Sequence, residues 1–513
     1  MPRPASVCVR LSFVLTAAAS FAPAVAAEDG AAGPPDMLIY LADDHSRRDC
    51  SVYQGGLVKT PHLEALAADG MTFANAFVAS PTCAPSRAAL LTGLFPARNG
   101  AEENHSQPRE DVLKLPTVLK SLGYEVAAFG KVGHGRKPVD YGWDVMNPQM
   151  HLPKLRENVT KYVENRTSDK PLCLFVGISN PHVPWPEETS FDPATVKLPA
   201  TFLDTPATRR QRARYLEEVK ELDAFLGELR GLADAHLRSN PLIAYSSDHG
   251  AQWPFGKFTL YDDGVRVPLI VSWPGHVEAG LTSEALVSWV DLLPTLIDVA
   301  GGETPDGLDG YSFAGVLTRP ATFEEYSARL HPNRPLPTTH VNYGEDPGVI
   351  VDWDDVHRAE IFTTHSGDRE MNVYPMRSVR TGRWKYIRNL HPEYAFTTHL
   401  DLLVREDSGV YWLEWVERAK TDPVAAAVVG RYHRRPAEEL YDLSKDPMER
   451  NNLLADPDPD FDGSLYRAVR GDLSARLNAW MKKQGDQQTV FNKPRRLIDP
   501  ASWAPGSMIG KRR

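Results

Sequence analysis

One stretch of the chain places a cysteine in an unusual setting: it reads Ser80-Pro81-Thr82-Cys83-Ala84-Pro85-Ser86-Arg87-Ala88-Ala89-Leu90-Leu91-Thr92-Gly93. An apolar helical run, Ala88 to Leu91, begins just after this cysteine. We therefore expect Cys83 beside a helix N-terminus, where backbone N–H groups and the positive end of the helix dipole favour an anion. Arg87, one turn into that helix, would direct its donors to the same place. The plainer alternative is a cysteine in a loop before a helix.

Length and composition indicate a large soluble protein with more than one core. The chain has 513 residues, 42% hydrophobic and 24% charged, which is typical of a globular protein with a large domain and a smaller one. The net charge of -10 argues against a nucleic-acid-binding surface, because such surfaces are basic. An anionic substrate would then need a local basic pocket.

The N-terminus has the pattern of a secretory signal, which we assign to residues 1–26. Two arginines precede an apolar run from Leu11 to Ala22, and small residues follow it. No other stretch is apolar enough to span a membrane, so we expect an exported protein, periplasmic, secreted or lysosomal according to its source. Outside the signal, Cys50, Cys83 and Cys173 form no disulfide framework; Cys50 and Cys173 either pair or both stay free.

Acidic residues follow two predicted buried strands. Residues 36–42 are an apolar run that ends in Asp43 and Asp44, and residues 242–247 end in Asp248 and His249. Ligands of α/β sheets bind at the carboxyl ends of strands, and adjacent carboxylates repel unless a cation lies between them. The sequence therefore predicts a metal site; the alternative is a solvated turn with capping aspartates. Because calcium prefers oxygen ligands, His249 leaves the identity of the metal open.

Basic residues follow two further predicted strands. Lys131 and His134 come after the strand at 124–129, and His182 comes after the strand at 172–178, on a loop stiffened by prolines on both sides. Lys257 precedes another strand. Each of these side chains taken singly is more often exposed or structural than catalytic, but the common position of Lys131, His134 and His182 after strands favours one shared site.

The C-terminal third predicts a smaller domain. Residues 374–388 alternate like a hairpin, 439–447 read as a strand and turn, and 465–481 as an amphipathic helix. Between about 318 and 370 the pattern weakens into loops. We assign residues 35–370 to a catalytic domain, 371–495 to an α+β subdomain and 496–513 to a tail.

Several of these motifs resemble one known family. Cys83-x-Pro85-Ser86-Arg87, followed by Leu91-Thr92-Gly93, is similar to the signature of the formylglycine-dependent (type I) sulfatases. Their Lys-x-x-His, Pro-His-x-Pro and Ser-Asp-Asn/His-Gly elements are matched at 131–134, 181–184 and 247–250. The resemblance implies an alkaline-phosphatase-like α/β fold, with a mostly parallel sheet flanked by helices and a smaller C-terminal antiparallel sheet plus helix.

The resemblance also implies a set of roles. Cys83 would be oxidised by a formylglycine-generating or equivalent maturation enzyme to an aldehyde, whose hydrate attacks sulfur. One divalent cation, Ca²⁺, would be held by Asp43, Asp44, Asp248, His249 and residue 83. Arg87, Lys131 and Lys257 would neutralise sulfate oxygens, His182 would protonate the leaving group, and His134 would be the base that helps to expel sulfate.

The substrate expected from the resemblance is a sulfated glycan. Parts of the chain look like heparan N-sulfatase (sulfamidase) and others like iduronate-2-sulfatase-like enzymes, and we prefer N-sulfoglucosamine over an O-sulfate ester. The alternatives are an O-sulfatase, a phosphonate or phosphate monoester hydrolase of the same superfamily, and a non-catalytic sulfoglycan-binding protein if Cys83 is unmodified. Sugar contacts are expected in loops 99–108 and 341–372, with these candidates: His105, Asp352, His365 and Glu370.

Overall fold

The computed structural model describes residues 33–54, 57–134, 141–318, 357–455 and 463–509. The signal at 1–26 and the candidate sugar contact Asp352 lie outside these residues. The strands are β1 (Met37–Ala42), β2 (Met71–Phe77), β3 (Glu125–Gly130), β4 (Val145–Asn147), β5 (Leu172–Gly177), β6 (Leu242–Ser247), β7 (Arg266–Val267), β8 (Leu269–Ser272), β9 (Leu281–Ser288), β10 (Ile361–His365), β11 (Met376–Arg380), β12 (Trp384–Asn389) and β13 (Glu438–Asp442).

Helices connect and flank these strands, and several begin at a proline, whose missing N–H is not needed in the first turn. They are α1 (Ser51–Gln54), α2 (Pro61–Ala68), α3 (Cys83–Thr92), α4 (Pro96–Asn99), α5 (Leu115–Ser121), α6 (Leu152–Glu164), α7 (Pro206–His236), α8 (Asp262–Val265), α9 (Leu292–Val299), α10 (Ala314–Thr318), α11 (His399–Leu403), α12 (Tyr411–Arg418), α13 (Pro423–His433) and α14 (Ser464–Gln484). None of the helices in the described part of the chain is long and apolar enough to cross a membrane.

The main sheet has nine strands, in the order β4-β3-β5-β1-β6-β8-β2-β7, with β9 paired to β2. The pairs from β4 to β6 are all parallel, and so is the pair of β2 with β9. Among the strands of the described residues, only β7 and β8 run against their neighbours. The expected mostly parallel sheet is confirmed.

The central strand β1 is buried on both faces, as its continuous apolar sequence predicts. Leu38 and Tyr40 face a core formed with α2, α6 and α7, while Ile39 and Leu41 face the opposite core, to which α3, α5 and α9 contribute. Successive side chains of a strand point to opposite faces, so one six-residue strand serves two cores. The helices that flank both faces are therefore confirmed.

The C-terminal region forms a second, antiparallel sheet in the order β10-β11-β12-β13. Helix α14 packs Leu473 and Leu477 against Val379 and Tyr386 of this sheet. The expected small antiparallel sheet plus helix is confirmed. Its first strand, β10, was not predicted: it lies in the region 318–370 that we interpreted as loops.

Two further details concern the start of helix α3 and the state of two cysteines. Helix α3 begins at Cys83 itself rather than after it. Cys50 and Cys173 are buried with free thiols in the cores on opposite faces of the main sheet, so the alternative in which they do not pair holds.

Candidate active site

The polar residues that follow four neighbouring strands lie together at one edge of the main sheet. Strands β3, β5, β1 and β6 are adjacent and parallel, so their carboxyl ends are side by side. Backbone hydrogen bonds join the loops: the Asp43 N–H donates to the Asn180 carbonyl over 3.3 Å and the Lys131 N–H to the Gly177 carbonyl over 2.8 Å. The predicted meeting of strand ends is thus observed.

Acidic and imidazole groups form a buried cluster at this edge. Four residues each offer one potential ligand atom, and these four atoms lie within 4.8 Å of one another: Asp43, Asp44, Cys83 and His249. The fifth predicted metal ligand, Asp248, is adjacent: its Oδ1 is 3.5 Å from His249 Nε2 and accepts the Asp44 N–H over 3.2 Å. Asp44 has a φ of 69°, which is uncommon for a residue other than glycine and turns the chain sharply after β1.

Cys83, the first residue of α3, is buried against this cluster. Its Sγ is 3.4 Å from Asp43 Oδ1 and 3.2 Å from His249 Nε2. The preceding loop is held by the Phe258 N–H, which donates to the Pro81 carbonyl over 3.0 Å. Burial raises the pKa of the Cys83 thiol well above its ordinary value, and the charge of Asp43 adds to the effect.

Two lysines approach Cys83 from different segments. Lys131 Nζ is 3.5 Å from Cys83 Sγ and bonds to Asp43; Lys257 Nζ is 3.6 Å from the same sulfur and lies 2.8 and 3.1 Å from the Asp44 oxygens. Burial disfavours the charge of Lys257, but Asp44 outweighs it, and the pKa is raised above its ordinary value. Burial likewise disfavours the charge of Lys131, but Asp43 outweighs it and raises the pKa, so both ammonium groups stay charged beside residue 83.

Arg87 is fully buried and directed at protein acceptors. Its Nε donates to Asp248 Oδ2 over 2.8 Å, and its terminal nitrogens donate to the carbonyls of Ala42, over 3.2 Å, and Lys131. Nη2 is also 3.9 Å from Asp43 Oδ1. This guanidinium is thus directed at the carboxylates of Asp248 and Asp43 and at backbone carbonyls; its predicted contact with sulfate oxygens stays a prediction.

Two histidines lie near the same group. His182 Nδ1 is 2.5 Å from the Val183 carbonyl, so this nitrogen is protonated and Nε2 carries the lone pair of the neutral ring. Burial and then the charge of Lys257 lower the pKa of His182 to about 3. His134 Nε2 is 2.7 Å from His105 Nδ1, and burial, with positive charge beside it, lowers the pKa of His134 well below its ordinary value. Both rings are neutral near pH 7.

The charges of the cluster fit a divalent cation. Burial raises the pKa values of Asp44 and Asp248 to about 6, against the opposing effects of Lys257 and Arg87 respectively. Several buried carboxylates so close together are favoured by a cation between them. His249 also fits, because burial lowers its pKa to about 3 and its Nδ1 lies 2.9 Å from the Gly250 carbonyl, which leaves Nε2 as a ligand nitrogen.

Comparison with known proteins identifies the family. Residues 35–302 match the protein-family model described as Sulfatase. The chain belongs to the sulfatase family. This sulfatase is 31% identical over 467 residues to an ulvan-active sulfatase of Formosa agariphila, covering 88% of this chain and 81% of that protein. It is 29% identical over 475 residues to the N-sulphoglucosamine sulphohydrolase of Homo sapiens, covering 83% and 87%. It is thus an enzyme that hydrolyses sulfate esters or sulfamates.

A solved structure supports the fold. A protein described in complex with its substrate D-glucosamine-2-N,6-O-disulfate has a TM-score of 0.60 to this sulfatase at 19% identity, over 88% of this chain and 99% of that one. The expected alkaline-phosphatase-like architecture is confirmed.

The site of the sulfatase opens through a cavity of about 180 Å³. Four predicted residues line it: Cys83, His134, His182 and Lys257. A wider cleft of about 1020 Å³ adjoins it at three histidines, His105, His134 and His182, and reaches Asp43 and Lys131. Arg87 lines neither space.

Other residues of the cavity wall were missed by sequence reasoning. They come from the loop between β6 and α8, the loop after β10 and the region of α11, and they are Gln252, Asp368, His399, Arg405, Asp407 and Ser408. Apart from Gln252, which lies five residues after β6, none follows a strand of the main sheet, so no local pattern marked them. His105, a candidate sugar contact, lines the cavity. His365 is instead buried with its Nε2 2.8 Å from Asn372 Oδ1, and Glu370 is exposed.

Proposed function

We propose that this sulfatase removes sulfate from a sulfated saccharide, with a formylglycine made from Cys83 as nucleophile and one calcium ion in the acidic cluster. The observation that carries the proposal is the surroundings of Cys83. The residue lines the cavity, with two lysine ammonium groups within 3.6 Å of its sulfur and the carboxylates that pair with them beside it.

The two groups that the chemistry adds have suitable places here. Asp43, Asp44, Asp248 and His249 would hold the cation, which polarises a sulfate oxygen when bound. Conversion of Cys83 by a maturation enzyme supplies an aldehyde whose hydrate offers two hydroxyl groups on one carbon, which neither cysteine nor serine has. The sequence from Cys83 to Arg87 supports that conversion.

The surrounding side chains bind and orient the sulfate. Lys131 and Lys257 stay charged in the interior, where an ammonium stabilises a sulfate oxygen far more than it would in water. Arg87 acts through Asp248 and Asp43, since it holds these carboxylates in place from behind. It is therefore a positioning residue in this account.

Two histidines transfer protons: one accepts a proton and the other donates one. His134 accepts a proton from residue 83. His182 presents Nε2, because its Nδ1 is bonded to the Val183 carbonyl. The His182 ring is neutral before substrate binds. The negative charge of a bound sulfate opposes the effect of Lys257 and so raises the pKa of His182. A protonated Nε2 can then give its proton to the leaving oxygen or nitrogen.

The substrate we favour is N-sulfoglucosamine, because the chain resembles the human N-sulphoglucosamine sulphohydrolase over 83% of its length. An O-sulfated saccharide is the second candidate, since the chain is also 31% identical to the ulvan-active sulfatase over 88% of its length. The wide cleft beside the cavity provides space for further sugar units.

Sulfate release from N-sulfoglucosamine and from glucosamine 6-O-sulfate, measured side by side, decides between these substrates. The protein is coexpressed with a formylglycine-generating enzyme, and Cys83→Ala protein made in the same way is the control. We expect the wild-type protein to release sulfate from N-sulfoglucosamine and the Cys83→Ala control to release none. Release from the O-sulfate alone would reject the sulfamidase assignment and leave an O-sulfatase.

We also propose that the protein is exported, on the strength of the sequence of residues 1–26. N-terminal sequencing of the protein from its native host should begin after the signal. A mature protein that retains Met1 would contradict this assignment.

A further inference from the structure

Three side chains of the cavity wall form a row: His134, His105 and Asp368. His134 Nε2 is 2.7 Å from His105 Nδ1, and His105 Nε2 is 3.4 Å from Asp368 Oδ1. His105 is 34% exposed, whereas the Asp368 side chain is 3% exposed. The members come from the loops after β3, α4 and β10, so the row joins the main sheet to the second sheet. Asp368 has no part in the cation site or in sulfate binding as proposed above.

The backbone around the row is held in place. His105 has a φ of 69°, in the left-handed region that a non-glycine residue rarely adopts. The Asn104 N–H donates to the Gly367 carbonyl over 2.9 Å, and Asn104 Oδ1 accepts the Ala84 N–H over 3.2 Å. The loop that carries His105 is thereby fixed both to the loop of Asp368 and to the helix that begins at Cys83.

The polar contacts of the row define where its protons lie. Asp368 is ionised: burial works against its charge, but His105 and His399 hold its pKa well below the ordinary value. A carboxylate can only accept, so the proton of a neutral His105 is on Nε2. Its Nδ1 then carries a lone pair and accepts from the Nε2–H of His134. The lone pair of His134 is consequently on Nδ1.

One neighbour favours the opposite arrangement. Asn104 Nδ2 is 3.5 Å from His105 Nε2, and an amide donor there would move the His105 proton to Nδ1 and that of His134 to Nδ1 as well. The carboxylate prevails because a hydrogen bond to an ionised acceptor is about twice as strong as a neutral one. The two contacts are of similar length, 3.4 Å to the carboxylate and 3.5 Å to the amide, so the charge of Asp368 decides between them. Removal of the Asp368 carboxylate should therefore move the protons of both His105 and His134 from Nε2 to Nδ1.

We propose that Asp368 and His105 are positioning residues that fix the tautomer of His134, so that its Nδ1 is the nitrogen that accepts a proton during turnover. The proton taken up at Nδ1 makes His134 an imidazolium, whose Nε2–H still donates to His105. This inference rests on the proposed function only for the role of His134 as a base. The tautomer itself is a property of the resting protein.

The direct test is ¹⁵N NMR of the full-length protein labelled at histidine, with Cys83 as encoded and at pH 8, where imidazoles of ordinary pKa are neutral. The His134 signals are assigned by their loss in His134→Gln. We expect wild-type His134 to carry its proton on Nε2, and Asp368→Leu to move it to Nδ1. Asp368→Asn, which keeps the polarity of the site, should give a mixture of the two tautomers and serves if the Leu variant does not fold.

Two controls and a kinetic readout sharpen the test. His399→Leu removes the other histidine near Asp368, whose Nδ1 is 3.8 Å from Oδ2, and should leave the His134 tautomer unchanged. His365, which bonds to Asn372, should keep its shifts in every variant. In converted enzyme, Asp368→Asn should lower kcat on the order of 10²-fold with little change in KM.

A wild-type His134 protonated on Nδ1, or a His134 tautomer that is the same in folded Asp368→Leu and Asp368→Asn, would overturn the inference. Neither result depends on activity. A tautomer that responds as expected in a protein that releases no sulfate would support the row and reject the proposed function instead.

Discussion

The Nε of Arg87 donates to Oδ2 of Asp248 over 2.8 Å in the interior, where neither side chain is exposed to solvent. This pair connects the first turn of α3 to the end of β6. It places a permanent positive charge behind the carboxylates of the cluster, and it lets three aspartates lie together without solvent.

Loss of this charge should destabilise the protein. Arg87→Met keeps much of the side-chain volume but leaves Asp248 without its partner, and breaking a buried ion pair costs about 3–5 kcal/mol. The free energy of unfolding in urea measures this. Arg418→Met, which removes an exposed pair with Asp422, is the control and should cost less than about 1 kcal/mol. Equal stability of the Arg87 variant and wild type would show that Arg87 is not the counter-charge.

Calcium should stabilise the folded protein through the cluster. A ligand that binds only the folded state adds about 2.7 kcal/mol at a concentration 100 times its Kd. We expect Tm to rise on titration with Ca²⁺ and to fall with a chelator, and the rise to be lost in Asp44→Asn. Glu188→Gln, at an exposed position, should respond like wild type. A full calcium response in Asp44→Asn would place the ion elsewhere.

His182 should matter most for substrates with poor leaving groups. If it protonates the leaving atom, His182→Asn should lower kcat/KM on the order of 10²–10⁴-fold for a sugar sulfate. The loss should be much smaller for 4-nitrophenyl sulfate, whose leaving group needs no proton. His236→Asn, at the exposed end of α7, is the matched control. Equal losses on both substrates would exclude His182 as the proton donor.

A buried acid away from the site predicts the pH dependence of stability. Asp401 is fully buried; its Oδ1 accepts from the Thr398 N–H over 2.7 Å and from the Tyr432 hydroxyl over 3.0 Å, and burial raises its pKa to about 7. Between about pH 4 and 7 the folded state keeps a proton that the unfolded state has lost. The free energy of unfolding therefore falls as pH rises through this range, by at most about 1.4 kcal/mol per pH unit.

Asp401→Asn keeps the Oδ1 acceptor and removes the titration. Relative to wild type, the variant should gain stability between pH 5 and 8, measured by urea unfolding at each pH. A constant difference between the two proteins across this range would show that Asp401 has the same pKa in both states.

The parts of the fold and site that the sequence predicted share one physical origin. Buried parallel strands are short apolar runs, and their carboxyl ends must meet at one edge, so the sequence alone places Asp43, Lys131, His182 and Asp248 together. Cys83 was found for another reason, because its motif is specific to a family. The prediction of a C-terminal sheet followed from its alternating strands.

Other residues escaped prediction because their positions depend on packing between distant segments. β10 is a five-residue strand, and no local sequence pattern predicts its pairing with β11. Asp368 reaches the site from the loop after it, and His399 from α11, and both depend on how the second sheet packs on the first. The orientation of Arg87 also required the structure, since its motif does not say which acceptors surround the guanidinium.

The central claim is that turnover depends on conversion of Cys83. The most direct measurement combines peptide mass spectrometry of residue 83 with the rate of sulfate release, across preparations made with increasing amounts of the maturation enzyme. We predict a rate proportional to the fraction of formylglycine, with none for Cys83→Ala or Cys83→Ser. Undiminished sulfate release from protein whose residue 83 is entirely cysteine, or from Cys83→Ala, would contradict the account.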